Sequence, residues 1–235
     1  MLKKSLLCSL FFANILFASG SEVNVYSQRH YDSDKALFKK FEEKTGIKVN
    51  LITAKAEELV SRLSIEGANS PSDILITADI GNLYEAKERD LLQGVSSKTL
   101  EKNIPAHLRD EGGKWFAITK RARLFVYNPK TINPAHLDDY FSLTKPEFKG
   151  KVITRSSTNA YNKSLLASII AHHGEEKSLE FVKGLVNNFA RDPKGADKDQ
   201  IRAVASGEAD IAIVNSYYLG VMANSGDKVD EEIAK

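Results

Sequence analysis

"VNVYSQRHYDSDKALFKKFEEKTGIKVNLIT", residues 23–53, sets two short apolar runs on either side of a segment with helical spacing. Residues 23–27 and 48–53 read as strands. Between them Ser33 is placed to cap a helix whose Leu37, Phe38 and Phe41 share one face, and Gly46 is placed to end it. Strand, helix, strand is the unit of a parallel sheet, because parallel neighbours need a crossover long enough to carry the chain back. The pattern continues outward. "AEELVSRLSIEG" (56–67) predicts a helix with Leu59, Val60 and Leu63 facing inward, and "DILITA" (73–78) predicts a third strand after Pro71. A helix carrying Leu83, Tyr84 and Ala86 comes next. An α/β fold follows, and such sheets bind ligands in loops beyond the carboxyl ends of their strands.

Beyond Gly112-Gly113 the texture changes. "WFAIT" (115–119) and "ARLFVYN" (122–128) read as back-to-back strands. "KVITRSS" (151–157) leads into the helix "NKSLLASIIAHHG", closed by Gly174, and a further helix carries Leu179, Phe181, Val182, Leu185 and Val186. "KDQIRAVASG" predicts a short helix, and "ADIAIVNS" (209–216) a buried strand. Two α/β lobes, 21–120 and 121–235, each with a central, mainly parallel sheet, account for this order better than one sheet.

The first twenty residues read as an address label. Lys3 and Lys4 precede an apolar stretch too short to span a bilayer, which ends in small residues, "ASG". This is the form of a secretory signal cleaved near Gly20, and it carries away Cys8, the one cysteine in the chain. The mature protein is then exported and must fold without disulfides. Leaving out Lys3 and Lys4 takes the 33 Lys and Arg to 31, against 31 Asp and Glu, so the mature chain is formally neutral. That excludes the basic footprint of a nucleic-acid binder.

Aromatic side chains collect just after three of the strands. His30 and Tyr31 follow the first, Tyr161 follows "KVITRSS", and Tyr217 and Tyr218 follow "ADIAIVNS". A phenol is a poor general base near neutral pH, since its pKa is about 10. Phenolate oxygens are hard anionic ligands, suited to a hard, highly charged cation that displaces the phenol protons itself. Ferric iron meets that description. Calcium would call for carboxylates and carbonyls, and zinc for thiolates or several histidines. Adjacent tyrosines both reach one ion if they lie in a turn beyond the strand. The plainer reading also stands: tyrosines at strand ends pack half-buried with a wetted hydroxyl, and His30 is a surface histidine.

The chain resembles the periplasmic ferric-ion-binding proteins, the iron-capturing components of ABC importers with the type II periplasmic binding protein fold. The resemblance rests on "VNVYSQRHYDSD", "PSDILITADIGNLYEAKERDLL", "RARLFVYNP", "STNAYNKSLLASIIAHHG" and, most specifically, "GEADIAIVNSYYLG". It implies that Tyr217 and Tyr218 are the metal-binding phenolates, that His30 is the histidine ligand, and that Tyr31 and Tyr161 are further ligands used by a tyrosine-rich subgroup. Some members carry a glutamate just after the third strand, where this chain has Ala78 and Asp79, and its absence points to that subgroup. The family implies two lobes joined by a strand hinge, delivery of iron to an inner-membrane ABC permease, a monomer, and a chain that continues beyond "DEEIAK". Arg121 and Arg123 match an arginine pair of the family. Arg121 is read either as balancing the phenolate charge or holding an accompanying anion, or as a salt-bridged surface arginine.

Catalytic signatures are scarce. The sequence has no G-x-S-x-G elbow, no G-x-x-x-x-G-K loop and no H-E-x-x-H. Asp32 and Asp34 could supply paired carboxylates to a secreted hydrolase, though both read more simply as helix-cap residues. A third reading keeps the two-lobed fold and makes the ligand an organic solute, a polyamine, phosphonate or thiamine, with the tyrosines stacking around it.

Overall fold

The structure is a computed structural model that describes residues 21–235, so the expected signal segment and its cleavage near Gly20 lie outside the described residues. It divides into two compact units, one ending at Ala78 and the other running from Asp79 to Lys235. The expected change-over at 120/121 falls between the last strand of the first sheet and the first strand of the second, but residues 79–120 group with the second unit.

In the first unit β1 (Glu22–Ser27) lies between β2 (Lys48–Thr53) and β3 (Ile74–Ile76), parallel to both. The crossovers are α1 (Asp32–Thr45) and α2 (Ala56–Glu66). Ser33 does not cap α1. The amides of Asp34 and Lys35 both reach the carbonyl of Tyr31, so the helix opens earlier and Ser33 falls inside its first turn. Asp32 and Asp34 there place negative charge at the positive end of the helix dipole. Gly46 ends α1 at φ 71°, a left-handed conformation that costs glycine nothing. The central strand buries Val25 and Tyr26 on opposite faces, and α2 buries Ala56, Leu59, Val60 and Leu63. The expected apolar face of α1 is not buried: Leu37 is 65% and Phe41 41% exposed.

Tyr26 brings a polar atom into this core and satisfies it. Its hydroxyl donates to the Glu66 carboxylate at 2.9 and 3.0 Å, and Arg62 lies over its ring at 4.9 Å. Burial pushes the Tyr26 phenol up.

The second unit opens with α3 (Ile80–Glu88), the helix expected to carry Leu83, Tyr84 and Ala86, capped by Asp79. The sequence pattern does not anticipate the next helix, α4 (Lys98–Asn103), capped by Ser97. "WFAIT" forms no strand. Only a bridge between Arg109 and Phe116 remains, and the segment is held by buried Asp110, which accepts from Lys87 Nζ at 2.6 Å and from the Lys114 amide at 3.1 Å. The sheet orders β4 (Arg123–Tyr127), β6 (Ile211–Asn215) and β5 (Val152–Ile153), with β6 central. β5 runs parallel to β6, but β4 runs antiparallel, so this sheet is mixed rather than mainly parallel. An antiparallel edge strand on an α/β sheet is a common arrangement. The two helices expected around Gly174 are both present within α5 (Ala160–Asn187), which Gly174 interrupts with φ 79° and ψ 168°. The remaining helices are α6 (Asp197–Ala205), α7 (Tyr217–Ala223) and α8 (Lys228–Ile233).

β6 is buried along its whole length, and its alternation divides the core in two. Ile211 and Ile213 pack with Leu143, Phe148, Ile169, Phe181 and Leu185 on one face. Ala212 and Val214 pack with Ile153, Ile201, Val204 and Met222 on the other. Each large apolar side chain removed from water in this way contributes roughly 1.5–3 kcal/mol.

Candidate functional site

The loop after β1 carries the first candidates. The Ser27 hydroxyl accepts from the amide of Arg29 and donates to its carbonyl, both at 3.0 Å, which turns the chain out of the strand. Arg29 forks onto Asp34, Nη2 to Oδ1 at 2.7 Å and Nε to Oδ2 at 3.2 Å, and lies 5.3 Å from the Tyr31 ring. His30 and Tyr31 are both exposed and stack, with centroids 5.3 Å apart and planes 16° apart. The Asp32–Asp34 pair of the hydrolase reading does not act together: Asp34 is engaged by Arg29, whereas Asp32 is exposed beside Lys35.

In the second unit, three chain segments meet at one end of the sheet. β5 and β6 run parallel and β4 runs against them, so the carboxyl ends of β5 and β6 and the amino end of β4 lie together. Tyr161 follows β5 in the first turn of α5, where its amide donates to the Asn159 side chain at 3.0 Å. Tyr217 and Tyr218 follow β6. They do not lie in a turn: they open α7, where successive residues project about 100° apart rather than to opposite sides. Their rings stack at 4.4 Å with 29° between planes. The amide of Ser216, just before them, donates to the carbonyl of Ala122 at 2.9 Å, tying this turn to the segment that carries Arg121.

Three guanidinium groups surround Tyr161. Arg121 lies 4.4 Å from the ring centroid, Arg155 5.4 Å and Arg123 6.0 Å, the last at the edge of cation–π range. Arg121 is also salt-bridged to Asp79 at 2.8 Å, and Asp79 accepts a hydrogen bond from Ser164. Arg123 is nearly enclosed. It donates to Asp197 at 3.2 Å, Asn215 at 3.1 Å, Asn162 at 2.8 Å and the carbonyl of Ile213 at 3.1 Å. Burial holds its pKa below the usual arginine value, with Asp197 opposing that effect. Arg155 reaches the other oxygen of Asp197 at 2.6 Å. Sequence reading singled out neither Arg155 nor Asp197. Arg155 had a usable signal, its place in the loop after β5; Asp197 had none beyond being an acid at a helix start.

Residues 69–230 match the bacterial extracellular solute-binding protein family. The chain belongs to that family. Among solute-binding proteins it is 50% identical over 214 residues to "Iron uptake protein A1" of Synechocystis, an alignment covering 91% of this chain and 59% of the relative. A solved structure, the ferric binding protein from Campylobacter jejuni, shares 54% identity with a TM-score of 0.85, covering 90% of this chain and 67% of that one. Another, Trichodesmium IdiA (FutA) in complex with iron and citrate ligands, shares 47% identity with a TM-score of 0.86, covering 91% and 68%. The chain thus spans about three-fifths of the length of the curated relatives it matches. These likenesses and the element order assign it the type II periplasmic binding protein fold. Among the described residues, no group of three or more His, Cys, Asp or Glu side chains converges as a metal-binding set.

Proposed function

We propose that the protein binds ferric iron in the periplasm through Tyr217 and Tyr218, with Tyr161, Tyr31 and His30 as further ligands, and hands the ion to an inner-membrane ABC permease without catalysing a reaction. The observation that carries this reading is the stacked phenol pair at the end of β6, with Tyr161 brought to the same end of that sheet. The relatives named for iron uptake and ferric binding support it. Arg121, against the Tyr161 ring, offsets the charge of a phenolate there. Its salt bridge to Asp79 keeps it in place whether or not an anion accompanies the iron.

Every phenolate ligand must lose a proton to bind, so iron is released as pH falls. The deciding experiment is a visible absorption spectrum of the full-length protein, stripped with chelator and titrated with ferric iron. A phenolate-to-iron charge-transfer band is expected, lost on acidification and shifted or abolished in Tyr217→Phe. A colourless protein at every iron ratio would overturn the reading.

A further inference from the structure

Asp197 opens α6 with a carboxylate that is 0% exposed. Its two oxygens are divided between two arginines: Oδ1 accepts from Arg123 and from the Asn215 amide at 2.8 Å, and Oδ2 accepts from Arg155. As a device for stability this is a poor choice. A buried ion pair recovers its desolvation cost only with full hydrogen bonding, and well-packed apolar residues serve as well or better. This cluster is not fully bonded, since Nε of Arg123 and Nδ2 of Asn215 are buried with no hydrogen-bond partner among the described residues. What the cluster does achieve is placement. Arg123 and Arg155 repel each other, yet both face the Tyr161 ring, and the carboxylate they share offsets that repulsion. Asn162, the next residue along, is fixed by the same network, accepting from Arg123 at 2.8 Å and donating to the Arg155 carbonyl at 2.7 Å. The Tyr161 ring is therefore bounded by two guanidinium groups tied to one buried carboxylate, and the chain is anchored one residue on through Asn162.

We infer that Asp197 is a positioning residue for metal binding: through Arg123 and Arg155 it fixes the orientation of Tyr161, and so the geometry of the bond from that phenolate to iron. The inference rests on the ferric reading above, with Asp197 acting behind a ligand rather than as one. Groups that orient a metal ligand typically govern 10–100-fold in affinity.

The test is a double-mutant cycle on the full-length protein, with ferric iron alone as probe. The charge-transfer band and the competition of citrate for iron are both read. Asp197→Asn and Arg155→Gln are each expected to shift the band and weaken iron binding roughly 10–100-fold, and to do neither in a Tyr161→Phe background. Arg155→Gln leaves the Arg123–Asp197 pair intact, so it reports even if Asp197→Asn does not fold. Equal losses with and without the Tyr161 hydroxyl, or an unmoved band and affinity in both single variants, would overturn the assignment while leaving iron binding standing. A wild-type protein with no band at all would remove the iron reading itself, and the role of Asp197 with it.

Discussion

Replacing Arg123 by methionine tests whether the polar centre of the second unit is organised as described. The Arg123 side chain is 7% exposed, and its guanidinium spans β4, β6, α5 and α6 through Asp197, Asn215, Asn162 and the carbonyl of Ile213. Methionine fills much of the same volume, so the loss is polar: Asp197, wholly buried, keeps only Arg155 as a counter-ion, and Asn215, Asn162 and the Ile213 carbonyl each lose a donor. Breaking a buried pair from one side costs roughly 3–5 kcal/mol, because a charge is left uncompensated. At about 2–4 °C per kcal/mol for a chain of this size, the melting midpoint falls by roughly 6–20 °C. Circular dichroism during thermal and urea unfolding measures it. The control is Arg123→Met with Asp197→Leu. Removing both charges leaves Arg155, whose side chain is 19% exposed, free to turn its head to water, so the double variant should lose clearly less than the sum of the two single losses, the remainder coming from the Asn215 amide and the other groups left without partners. A single variant that loses less than about 1 kcal/mol, or a double variant that loses as much as the two singles together, would refute the reasoning.

Two further outcomes concern the same unit. Asp110 is held below the usual carboxylate range by Lys87 and by backbone amides, and Asp230 by Arg202. A depressed folded pKa means that the unfolded chain binds the proton more tightly, so the stability they add is complete above roughly pH 5 and is lost as pH falls toward the folded values. Denaturation across pH 2–7 should show that decline, flattened in Asp110→Asn and Asp230→Asn; an unchanged slope in both would count against it. In α5, a β-carbon added at Gly184 would sit 2.6 Å from Cβ of Thr144. Gly184→Ala should therefore lose about 1 kcal/mol by overpacking, despite the better helix propensity of alanine, and a raised melting midpoint would show that Thr144 gives way freely.

What could be read from the sequence was whatever depends on neighbours along the chain. β2 and β6 lie within their apolar runs because Gly and charged residues bound those runs, and Gly174 interrupts α5 through its own backbone freedom. "WFAIT" has the composition of a strand, but the loop tied down by Asp110 gives it only a single bridge. Tyr217 and Tyr218 were expected in a turn because a strand cannot aim neighbours together; a helix starting immediately after β6 does so by a different rotation. The Arg123–Asp197–Arg155 cluster was invisible because its members stand far apart, 74 positions between Arg123 and Asp197, and their pairing exists only once the sheet has formed.

The place of β6 also governs when the second unit can form at all. In the first unit the central strand is synthesised first, and its partner follows about one helix later, Asn24 meeting Asn50 across 26 positions. In the second unit the centre comes last. Arg123 waits 92 positions for Asn215, and until residues 211–215 arrive, β4 and β5 have no strand between them and both faces of the core lack their common wall. Long-range pairing of this kind is slow, since the entropy of closing the loop is spent before any contact repays it. At about 5–20 residues per second of synthesis, the interval from β4 to β6 is several seconds of exposed strand edges. The three described strands of the first unit can pair soon after they are made, whereas β4 and β5 of the second, which holds Tyr161, Tyr217 and Tyr218, expose unpaired edges until β6 arrives.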